Sequence, residues 1–175
     1  MMEDQIVSSA STSTTATGST DGGTTMAWSD RYLLGHNGMD DTHREFVGCV
    51  AALQTADDAE LAECLAAFEA HAVEHFGQEK RWMESTAFPA TQCHVDEHTA
   101  VLNSVHEVQE MLRNGASGQV ARDLARALAD WFPGHADYMD ASLSQWLIKR
   151  SHGGVPVVLR RRLDPADAQV PPEVD

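Results

Sequence analysis

Basic residues are the clearest shortage in this sequence. Among 175 residues, 12 are Lys or Arg against 27 Asp and Glu, a formal net charge of −15, with a pI of about 4.8. Nucleic acid and anionic membrane both demand basic surface, so neither is an expected partner. Long apolar runs are also missing, since none approaches the ~20 residues of a membrane span. The N-terminal stretch "MMEDQIVSSA" has an acidic start and no apolar segment, so no secretory signal is expected. Cysteine is scarce: Cys49, Cys64 and Cys93, with no C-x-x-C spacing. Such an odd set argues against a disulfide framework and for a reducing cytoplasm. Strand-like alternation of useful length is absent. No exposed apolar stripe is evident either, so a monomer is expected.

What is present divides into three parts. Residues 8–25 are almost all Ser, Thr, Gly and Ala. They cannot bury enough apolar surface to offset their ordering entropy, so residues 1–26 are expected to be disordered, with Met26 a candidate initiator. Residues 151–175 hold four of the six prolines and read as an irregular tail. Between them, residues 27–150 carry four helical patterns. The first is expected to start at Asp40 or Asp41, both good N-cap residues, and to run to about Leu53. Its apolar face is Phe46, Val47, Val50 and Leu53, with His43 at the matching spacing. In the second, Leu61, Leu65, Phe68, Ala72, His75, Glu79 and Trp82 follow alternating steps of four and three. That is a heptad seam with a His and a Glu set into it. The third repeats the pattern with His94, His98, Val101, Val105, Val108 and Leu112. The fourth runs from about Gln119 to Trp146, with Val120, Leu124, Leu128, Trp131, His135, Met139 and Leu143 near one face. Short loops between long helices favour antiparallel neighbours. The expected fold is therefore an all-α, up-down-up-down four-helix bundle.

Histidine in an apolar seam needs an explanation, because its ring nitrogens must be satisfied and a buried Glu is costlier still. A single seam His is most often a hydrogen-bonded core or boundary residue. Here all four helices place His on the apolar face: His43; His75 with Glu79; His94 with His98; His135 with Asp140. Five imidazoles and two carboxylates do not neutralise one another cheaply in a core, whereas two divalent metals can do it. The sequence contains no E-x-x-H, the pair that carboxylate-rich di-iron bundles place on two helices. A histidine-rich site gives less anionic support to high-valent iron. It suits holding oxygen better than cutting it.

The motifs "DDTHREF", "HFGQEKRWM", "HVDEH" and "HADYMD", in this order, resemble the metal motifs of the hemerythrin family in its bacterial single-domain form. The likeness covers roughly residues 27–148. It implies two iron ions with a bridging oxo or hydroxo group. His94, His98 and His135 would bind one iron, and His43 and His75 the other. Glu79 and Asp140 would bridge the pair. The iron with two histidines would keep a position open for dioxygen. The implied function is reversible dioxygen binding for storage, delivery or sensing, without enzymatic turnover. Two other readings stay open on the same ligands: a peroxidase-like or nitric-oxide-handling enzyme, and a zinc- or iron-binding structural bundle.

The fourth motif carries a local peculiarity. Pro133-Gly134 stands directly before His135, where proline removes a helical hydrogen bond. His135 and Asp140 are five apart, about 140° round an ideal helix. A π-type widening would bring them together. Phe46, Phe76, Trp131 and Phe132 lie within a turn of ligands and are expected to wall the oxygen pocket. An acid or base beside the open position would favour an enzyme, and Tyr138 and His71 are the candidates for it. Otherwise His71 reads as a boundary residue. Cys93, beside His94, reads as an inert thiol.

Overall fold

The computed structural model describes residues 24–151. A 3₁₀ turn at Asp30–Tyr32 leads into α1 (Asn37–Thr55), α2 (Leu61–Thr86), α3 (Thr91–Arg113) and α4 (Gln119–His135). A π-helical turn (Ala136–Asp140) then joins α4 to α5 (Ala141–Ser151). His135, Ala136 and Ala141 all keep right-handed helical backbone, so α4, the turn and α5 form one rod. Among the described residues there is no strand. α1 packs on α2 and α4, and α3 packs on α2 and α4. The connections 56–60, 87–90 and 114–118 are short, and the result is an antiparallel four-helix bundle.

The buried faces follow the sequence periodicity, with one shift. In α2, Leu61, Leu65, Phe68, Ala72, His75 and Glu79 are buried, but Met83 takes the next interior place and Trp82 is half-buried. At about 100° per residue, Trp82 lies ~60° off the line through Leu61, and Met83 only ~40° off on the other side. The heptad approximation has drifted by its third repeat. On the fourth rod the same competition leaves Trp131 and Met139 half-buried, while Phe132 and Ala136 go inside.

The start of α1 is a correction. The helix begins one turn before the expected Asp40 or Asp41, with His36 as N-cap. His36 Nδ1 accepts from the Met39 N–H at 3.4 Å. Asp40 lies inside the first turn and is buried. Its carboxylate reaches back to accept from Leu34 N–H at 2.6 Å and Gly35 N–H at 3.2 Å. Met26, grouped above with the N-terminal segment, is buried among core residues. Its N–H donates to Gln54 Oε1 at 2.6 Å.

Two helix ends use one motif with different residues. After α3, Ala116 N–H donates to Met111 O and Gly115 N–H to Leu112 O, both at 3.0 Å. After α2, Phe88 N–H donates to Met83 O at 2.9 Å and Ala87 N–H to Glu84 O at 3.3 Å. Each is a Schellman closure needing a left-handed residue. Gly115 meets that need freely at φ 87, whereas Ala87 does so at φ 52 with a Cβ against it. Ala87→Gly should therefore raise unfolding free energy by about 0.5–1 kcal/mol, after discounting glycine's freedom in the unfolded chain. A denaturant midpoint that falls instead would show the strain is not there.

Two of the three apolar clusters among the described residues flank the polar seam residues. One holds Phe46, Phe68, Ala72, Leu124, Leu128 and Phe132, among others. The other holds Leu34, Met39, Met83, Phe88 and Leu143. On α1, α2 and the fourth rod, the polar seam residues lie between these two sets in sequence.

Candidate metal centre

All seven seam residues named from the sequence come together between the apolar clusters. His43, His75, Glu79, His94, His98, His135 and Asp140 are each at most 6% exposed. His75 and Glu79 are four apart on α2, as are His94 and His98 on α3, so each pair shares one helix face. His135 and Asp140 are five apart and lie at either end of the widened turn. A π turn spaces its hydrogen bonds one residue wider, which brings both side chains to the interior.

Each carboxylate divides its two oxygens between two groups of histidines. Asp140 Oδ2 lies 3.1 Å from His43 Nε2, while Oδ1 lies 3.0 Å from His94 Nε2 and 3.2 Å from His135 Nε2. Glu79 Oε1 lies 3.0 Å from His75 Nε2, while Oε2 lies 3.2 Å from His94 Nε2 and 3.5 Å from His98 Nε2. On one side stand three imidazoles, with His135 Nε2 3.1 Å from His94 Nε2 and 3.0 Å from His98 Nε2. On the other stand two, His43 and His75, with ring centroids 5.6 Å apart.

These groups serve one another poorly as hydrogen-bond partners. Glu79 Oε2 and both Asp140 oxygens are buried and close to imidazole nitrogens, yet none makes a hydrogen bond of proper geometry. Burial and the Asp140 charge push the Glu79 carboxyl upward, but His75 and His94 outweigh them and hold it at about 2. Burial likewise opposes ionisation of Asp140, and His135, His43 and His94 hold it well below the usual carboxylate range. Burial depresses His94, but Asp140 and Glu79 overcome it and raise the imidazole to about 9. The same balance raises His43. His98 goes the other way, to about 3, through burial and the repulsion of His135 and His94.

The donor set fits divalent cations. Two ionised carboxylates face five imidazoles whose Nε2 atoms converge. Nitrogens about 2.1 Å from one ion and at right angles to each other stand about 3.0 Å apart. Two Nε2 pairs on the three-histidine side have that spacing. Glu79, His94, His98, His135 and Asp140 each offer a ligand atom within 4.8 Å of the others, and so do His43, His75 and Glu79. Imidazole and carboxylate together suit iron, zinc or manganese. A cation would also supply the partner that the orphaned carboxylate oxygens lack.

Comparison with known proteins gives the same answer. Residues 34–147 match the hemerythrin HHE cation binding domain. A bacteriohemerythrin of Ralstonia nicotianae is 38% identical over 127 residues, which is 71% of this chain and 90% of that protein. The chain belongs to the hemerythrin family. The buried His, Glu and Asp cluster described above lies within the residues that match that domain.

Around this hemerythrin core the four expected aromatic residues take specific places. Phe76 stacks on His98 at 3.8 Å and Trp131 on His135 at 4.3 Å. Phe132 meets His43 edge-on at 5.1 Å and stacks on Phe46 at 4.6 Å. They fix ring orientations of the histidines as well as enclosing them. Glu97 carries no sequence signal, yet its carboxylate accepts from Trp131 Nε1 at 3.0 Å and so holds the indole over His135. Tyr138 faces solvent and is 79% exposed. Cys93 is also exposed. His71 stays close, with its ring 5.4 Å from that of His75. Burial, then His75 and His43, lower its pKa to about 4.

Proposed function

We propose that this protein binds dioxygen reversibly at a non-haem di-iron centre, for oxygen storage, delivery or sensing, and is not an enzyme. His94, His98 and His135 would hold one iron, His43 and His75 would hold the other, and Glu79 and Asp140 would each offer an oxygen to both. The observation that carries this reading is the split of each carboxylate: one oxygen towards the three-histidine side, the other towards the two-histidine side. A pair of ferrous ions bound there, with an oxo or hydroxo group between them, would supply the electrons needed to hold dioxygen. The side with one imidazole fewer is the side left for it. There Phe46 and Phe132 present apolar surface that excludes water. The family membership supports iron, and the name of the Ralstonia relative supports oxygen as the ligand. No described helix is long and apolar enough to cross a membrane. The free thiols of Cys49, Cys64 and Cys93 support a cytoplasmic setting.

Iron reconstitution tests the proposal. Metal analysis should give near two irons per chain, and a visible absorption band should appear in air and disappear under vacuum. A fully folded protein that stops near one iron would sink the dinuclear reading. A band that bleaches irreversibly would sink reversible binding.

A further inference from the structure

Two aromatic rings stack on the three-histidine side, and they are held in different ways. Phe76, on α2, lies on the His98 imidazole with 3.8 Å between centroids and 7° between planes. It is buried and has no polar group, so packing alone fixes it. Trp131, on α4, lies on the His135 imidazole at 4.3 Å and 27°. It is only half-buried. Its Nε1–H donates to Glu97 Oε2 at 3.0 Å.

Glu97 lies inside the motif "HVDEH", directly before His98 on α3, and its side chain is exposed. Trp131 stands one turn before His135 on α4. The hydrogen bond therefore joins the two helices that carry His94, His98 and His135. The indole stacks on a buried imidazole and meets an exposed carboxylate, so it spans from the site to solvent. Its buried neighbour Phe46, with ring centroids 6.2 Å apart, offers no polar anchor. Without Glu97 the indole N–H would turn to water, and a half-buried ring would regain rotamer freedom. A metal ion stays bound when a ligand that lets go returns before the next one leaves. An imidazole pinned under a fixed indole returns sooner than one that can swing.

We propose that Glu97 is a positioning residue: by holding Trp131 over His135, it slows the loss of the metal held on the three-histidine side. This rests on the metal centre proposed above. It gives Glu97 a part in retention that the seven donors do not cover.

The experiment loads full chains with ferrous iron under nitrogen and mixes them with excess ferrozine, whose iron complex reports release by its absorbance. Dioxygen is absent, so the outcome does not depend on whether the protein binds it. Glu97→Ala should release iron about fivefold faster than the parent or more, the effect of one lost hydrogen bond. Glu97→Gln keeps an acceptor without the charge and should release iron within about twofold of the parent. Trp131→Phe keeps a stacked ring without the N–H and should match Glu97→Ala, and combining the two should add nothing. In the metal-free proteins, the Trp131 indole N–H proton resonance is identified by its loss in Trp131→Phe. It should move upfield in Glu97→Ala and stay near its parent position in Glu97→Gln. Metal-free Glu97→Ala should unfold in urea close to the parent midpoint. Unchanged release from Glu97→Ala, fast release from Glu97→Gln, or further acceleration in the double variant would each overturn the assignment. A midpoint far below the parent's would do so too, because faster release would then report general loosening. A parent chain that takes up no ferrous iron would sink the metal centre, and this assignment with it.

Discussion

Glu79→Gln should leave a folded helical bundle that has lost reversible oxygen binding. Glutamine keeps the length and place of Glu79 in the seam, and this side chain is fully buried among packed neighbours. It removes the negative charge and one good metal oxygen. Glu79 is the residue common to both groups of converging donors, with His94, His98, His135 and Asp140 in one and His43 and His75 in the other. Removing its charge therefore weakens both positions at once. Bound iron should drop from near two per chain to one or fewer, and the air-dependent absorption band should vanish. Helical content by circular dichroism should stay within a few per cent. A variant that keeps two irons and a reversible band would mean that Glu79 does not bridge.

The metal-free protein should be most stable near pH 6.5 and weaken in both directions. His98 is held at about 3 and His71 at about 4, both below the ordinary value of 6.5. Unfolded chain takes up protons at these residues first, so their stabilising share is complete above 6.5 and disappears as pH falls towards 3. Glu79, held at about 2 against an ordinary 4.5, adds to the acid loss once pH drops below 4.5. His94, raised to about 9, works in the opposite sense. Its share is complete below 6.5 and is lost as pH rises through 9. At pH 4 the metal-free protein should be less stable than at pH 6.5 by about 3 kcal/mol or more, since each pKa unit is worth about 1.4 kcal/mol. Bound metal replaces protons on these imidazoles, so the alkaline slope should flatten in the iron-loaded protein. Urea unfolding of both forms at pH 4, 6.5 and 9 measures this. A metal-free protein that gains stability between 6.5 and 9 would contradict the pairing of His94 with Asp140 and Glu79.

Much of this architecture is legible in the sequence because periodicity and chemistry coincide. His75 and Glu79, and His94 and His98, occupy four-residue spacings within apolar seams, so one pattern places both the helix and the donor. The widened turn was readable too, since only a five-residue gap between His135 and Asp140 conflicts with an α-helical path. Other features depend on contacts distant in sequence. The start of α1 is set by an imidazole cap at His36, a residue outside the usual N-cap set, which leaves Asp40 to bind backbone already behind the helix. Met83 displaces Trp82 because helical drift accumulates with length. Tyr138 follows a ligand motif closely in sequence, yet faces solvent because the turn that carries His135 and Asp140 inward carries it outward. The unpaired Nε2 of His71 depends on which neighbours surround it, and spacing along one helix does not report that.

The π turn also bears on how the length of this chain can change over generations. It carries one residue more than an α-helical path needs while keeping its two flanks in phase. Losing one residue between Ala136 and Met139 would leave His and Asp four apart on an ordinary helix, the same spacing as His75–Glu79 and His94–His98. The rod could close over that deletion with its donors still on one face. A deletion between His75 and Glu79 has no such outlet, for it would rotate the carboxylate by about 100° away from the centre. Of the segments that supply donors, the one holding His135 and Asp140 is therefore where a single-codon loss is most readily survived. Lineages descended from this sequence should show length variation there before they show it in α2.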